Sequence, residues 1–137
     1  MREKIQEHST DIEIIKLEII PETKRWLEKI DFINTEINFL RMLLFRNFIK
    51  KINNNVEASK SLLKTLDTLQ ESNTSHLKAV REFRIKLEGL RECDDVQCEN
   101  LYLGEYLNFK ENIYEHLEEV QQVKSLLYDY FGSGLED

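Results

Sequence analysis

Between Leu62 and Leu90 the apolar positions advance by alternate steps of four and three: Leu62, Leu66, Leu69, Asn73, His76, Val80, Phe83, Leu87 and Leu90. Such a spacing, held for four heptads, is the seam of a helix buried against other helices. Asn73 and His76 are the two polar members of that seam. Buried polar residues at seam positions either fix register or mark a site.

The same period recurs on both sides. In the segment before, Trp26, Ile30, Ile33, Ile37, Leu40 and Leu44 form a seam flanked by Phe32, Phe39, Leu43 and Phe48. From Ile37 to Ile49 nine of thirteen residues are apolar, a face wide enough to be covered on more than one side. In the segment after, Tyr102, Tyr106, Phe109, Ile113, His116, Val120, Val123, Leu127 and Tyr130 repeat the spacing. The chain therefore predicts an all-α fold, an up-down-up antiparallel bundle of three long helices over about 22–52, 56–91 and 96–131.

The boundaries come from local chemistry. Asn53-Asn54-Asn55 ends the first helix, and Asn54 with Glu57 has the spacing of a capping box. Gly89 and Cys93-Asp94-Asp95 end the second, with Asp94 and Gln97 again spaced as a cap and its third residue. Gly132-Ser133-Gly134 is expected to stop the third, leaving 132–137 as a disordered acidic tail. The polar stretch Gln70 to Ser75 contains poor helix formers, but the seam stays in phase across it, so an unbroken second helix is expected. Residues 1–20 carry Ile5, Ile12, Ile15 and Ile19 on a helical stripe. They read as a helical extension kinked at Pro21, ahead of a bundle domain over 21–131.

Reflecting the second helix through its two connections aligns the layers. Residues 1–16 overhang the bundle, and together with the 37–49 face they predict a homodimer whose interface includes Ile5, Ile12, Ile15, Phe39, Leu43 and Phe48. His76 falls level with His116, which implies a polar layer of Asn73, His76, His116 and Thr35 or Glu119. The plain role of that layer is a hydrogen-bonded register belt. The chemical alternative is a metal site on His76 and His116 with carboxylates such as Asp31, Glu115 or Glu119 completing it. The Glu-x-x-His pairs of carboxylate-bridged di-iron bundles are missing, since Asn73 and Ile113 stand three residues before the histidines.

Composition narrows the function classes. One proline and four glycines in 137 residues suit long helices. A net charge of −7 disfavours a nucleic-acid binder. A basic patch of Arg41, Arg46, Lys50 and Lys51 gathers at the first hairpin, opposite an acidic end, and could receive an anionic partner. No phosphate loop or nucleophile motif is present, no apolar window is long enough for a membrane span, and the first residues lack the pattern of a signal peptide. Cys93 and Cys98 are expected to be reduced thiols. The expectation is a cytoplasmic, non-enzymatic bundle without a cofactor, acting by self-association and contact with a protein partner. Metal binding and an anionic partner at the basic end are the alternatives.

Overall fold

The computed structural model describes residues 15–50, 56–89 and 96–136, with side chains over 17–47, 56–89 and 97–132. Helix α1 spans Ile20–Lys50, α2 spans Val56–Leu87 and α3 spans Val96–Glu136. There is no strand among the described residues, and no helix there is long and apolar enough to cross a membrane. The fold is all-α. The three-asparagine connection, the Asp94 cap, Cys93, Ile5, Ile12 and Lys51 lie outside the described residues.

Contacts between helices give their directions. Along α1 the partners on α2 descend: Ile20 and Thr23 meet Arg84, Ile30 meets Asn73, and Arg41 meets Asp67 and Gln70. Between α2 and α3 they descend as well, from Ser59 with Tyr130 to Lys86 with Glu105. Both neighbouring pairs therefore run antiparallel. An ion pair, Lys124 Nζ to Glu36 Oε2 at 2.9 Å, ties α3 back to α1. Beside it an open groove of about 600 Å³ lies between the two helices, lined by Glu28, Phe32, Glu36, Leu117 and Lys124.

The core is segmented along the axis. Towards the first connection Ile37, Leu40 and Leu44 of α1 pack with Leu66 and Leu69 of α2 and Val120, Val123 and Leu127 of α3. The middle holds Trp26, Ile30, Leu77, Val80 and Ile113. At the far end Ile19, Phe83 and Leu87 pack against Cys98, Tyr102, Tyr106 and Phe109. The α1 seam is buried at all six expected positions, and α2 runs without a break through Gln70 to Ser75. Seam continuity thus outweighs the poor local propensity of that stretch, because packing of the amphipathic face supplies most of a helix's stability.

At the start of α1 a five-residue π-helical turn, Ile15–Ile19, leads directly into Ile20 and Pro21. A widened turn accommodates a residue that lacks an N–H and crowds the preceding carbonyl.

Two expectations are corrected. Helix α3 does not stop at Gly132-Ser133-Gly134 but continues to Glu136. Glycine weakens a helix without ending it where the chain does not reverse. Cys98 is disulfide-bonded rather than a free thiol. Thiol pairing depends on the redox surroundings, which composition does not encode.

Leu44 is fully buried, whereas Leu126 is 55% exposed on the same bundle. Leu44→Ala is expected to cost about 3 kcal/mol and Leu126→Ala no more than about 0.5 kcal/mol in urea unfolding monitored by circular dichroism.

Candidate functional site

The polar layer forms where the first two core segments meet. Asn73 is completely buried on α2 and connects all three helices. Its Nδ2 donates to the Ile30 carbonyl and to Asn34 Oδ1, both at 2.9 Å, and its Oδ1 lies 2.7 Å from His116 Nε2. The Ile30 carbonyl can only accept, so the amide nitrogen must face α1 and the oxygen must face α3. His116 therefore carries its proton on Nε2.

The second nitrogen of each histidine is assigned by the same logic. His116 Nδ1 faces the Ser72 hydroxyl at 3.5 Å and accepts from it. His76 Nδ1 lies 2.8 Å from the Ser72 carbonyl, to which it must donate. The two rings stack with centroids 4.2 Å apart and planes 14° from parallel. Helical geometry explains the placement: Ser72 and His76 are one turn apart on α2, so a single turn supplies both partners.

The electrostatics keep His116 neutral. Burial, reinforced by the neighbouring His76, lowers the His116 pKa from 6.5 to about 4. A proton on His116 would leave a charge in the core facing a second imidazole at stacking distance. His116 is only 3% exposed, and its ring nitrogens already face Asn73 and Ser72. Among the described residues no group of three or more His, Cys, Asp or Glu could hold a metal ion. The arrangement can hold three helices in register, and its chemistry is that of a hydrogen-bond chain.

The heptad alignment brought His76, His116 and Asn73 to one height, and the structure joins them. Thr35 and Glu119 are not among the partners that Asn73, His76 and His116 bond. Asn34 and Ser72 are, and the heptad reading missed them because neither occupies a seam position. Asn34 stands one turn beyond Ile30, which is the signal that could have found it. His76 itself is only partly buried, and Leu77 takes the core position expected of it.

The remaining candidates lie apart from this layer. Arg41 is engaged with Asn38, Asp67 and Gln70, leaving Arg46 as the described member of the basic patch with no ion pair among the described residues. The side chains of Ile15, Phe48 and Lys50 are outside the described residues. Leu43 is half-buried. Phe32, Phe39, Met42 and Phe45 are exposed at 61, 54, 50 and 56%. No family model, curated protein or solved structure matches this chain.

The depressed His116 pKa has a definite sign in stability. The unfolded chain binds this proton more readily than the folded one between about pH 6.5 and 4, so stability is complete above 6.5 and is lost as the pH falls through that window. The full loss is at most about 3 kcal/mol. Urea unfolding at pH 7.0 and 5.5 should show a fall for the native chain and a smaller fall for His116→Gln, while equal falls would remove His116 as the titrating group.

Proposed function

We propose that this chain is a non-enzymatic association module that pairs with itself through the outer face of α1. One observation carries the reading: four large apolar side chains, Phe32, Phe39, Met42 and Phe45, stand at least half exposed on one helix of a chain whose own core is already filled. Isolated apolar residues on a surface are ordinary, but a row of them along one helix marks a contact surface.

The rest of the molecule suits that role. The buried members of the polar layer, Asn73 and His116, are bonded to each other. Covering Phe32, Phe39 and Met42 removes apolar area from water. Phe39, Met42 and Phe45 fall within the wide apolar stretch read from the sequence over 37–49.

Sedimentation of the full chain at tens of micromolar is expected to give twice the chain mass. Phe39→Asp is expected to give a single chain with unchanged helical content. A native chain that sediments as a monomer throughout this range would refute the reading.

A further inference from the structure

Helix α1 carries a second heptad seam, which neither the core nor the polar layer uses. Glu28, Phe32, Thr35, Phe39, Met42 and Arg46 advance by four, three, four, three and four residues. At 100° per residue this seam lies about 160° round the helix from the buried one. All six residues are exposed, and Glu28 and Phe32 also form the rim of the open groove towards α3.

The seam reads the same in reverse when charges are matched with their opposites. Antiparallel to itself, with the two-fold axis level with residue 37, Glu28 falls opposite position 46, Phe32 opposite 42 and Thr35 opposite 39. The apolar residues occupy the centre, and an acid and a base occupy the two ends. Glu28 and Arg46 make no ion pair among the described residues, so each is available to the other across such an axis. A parallel pairing would set Arg46 against Arg46 and Glu28 against Glu28, which like-charge repulsion disfavours.

We infer that the occupant of this surface is a second copy of the chain, lying antiparallel along α1, with Glu28 paired to Arg46 of the partner subunit at both ends of a Phe32, Thr35, Phe39 and Met42 centre. This rests on the self-association reading above and specifies its partner and orientation. The interface is isologous and closes on itself, as a two-fold dimer requires. It pairs about 28 Å of helix, a modest length that implies a dissociation constant on the order of micromolar.

A charge exchange tests the orientation. Sedimentation equilibrium on the full chain would compare Glu28→Lys, Arg46→Glu and the double variant, with thermal melts as a check on folding. Each single change places like charges together at both ends and is expected to raise the dissociation constant roughly tenfold or more. The double variant exchanges the two charges and is expected to return to within roughly threefold of the native chain. Single variants that dimerise like the native chain, as a parallel pairing would give, or a double variant weaker than either, would overturn the antiparallel register. If Phe39→Asp still dissociated the dimer in that case, the self-association reading would stand and only the register would fall. A monomeric native chain would end both.

Discussion

One carboxamide sets the geometry on which everything else here depends. Asn73 lends both hydrogens of its amide to α1 and its oxygen to α3, so the three helices are locked in height and in rotation at one layer. Apolar packing alone would tolerate a slip along the seams, because leucine and isoleucine layers are nearly interchangeable. A slip at Asn73 strands a buried donor or acceptor, which costs more than the slip could return. His116, held neutral by burial, extends this constraint to α3 by requiring one tautomer.

Rotation of α1 has a consequence at the far side of that helix. Holding Ile30 and Asn34 towards Asn73 puts Trp26, Ile33, Ile37, Leu40 and Leu44 inside and leaves Phe32, Phe39 and Met42 outside. The apolar content of α1 exceeds what two neighbouring helices can cover. Three of its four half-exposed apolar side chains, Phe32, Phe39 and Met42, keep a heptad period bracketed by Glu28 and Arg46. A register device inside and an exposed apolar seam outside are two results of the same fixed rotation.

Much of this was legible in the sequence, because heptad spacing reports which face is buried and connection lengths report height. The α1 seam, the unbroken α2 and the meeting of His76 with His116 all derive from those two signals. The remainder depends on atoms rather than period. Asn34 and Ser72 join the polar chain from flanking positions, and Leu77 takes the core position in place of His76 while Val80, Phe83 and Leu87 keep the seam. Disulfide pairing of Cys98 depends on oxidation, and a glycine pair at 132 and 134 weakens the last turns of α3 without supplying the chain reversal that would end them. The exposed seam was visible only as an excess of apolar residues over 37–49. Its separate period emerges once the structure assigns the inner face.

The most direct measurement of that division is a dilution series monitored by amide-resolved NMR, from about a hundred micromolar down to a few. Concentration-dependent shifts gathered at Phe32, Thr35, Phe39, Met42 and Arg46, with residues around Leu107 and Leu126 on α3 unchanged, are the expected result. Shifts centred on the α3 surface, or spectra that do not change with concentration, would contradict it.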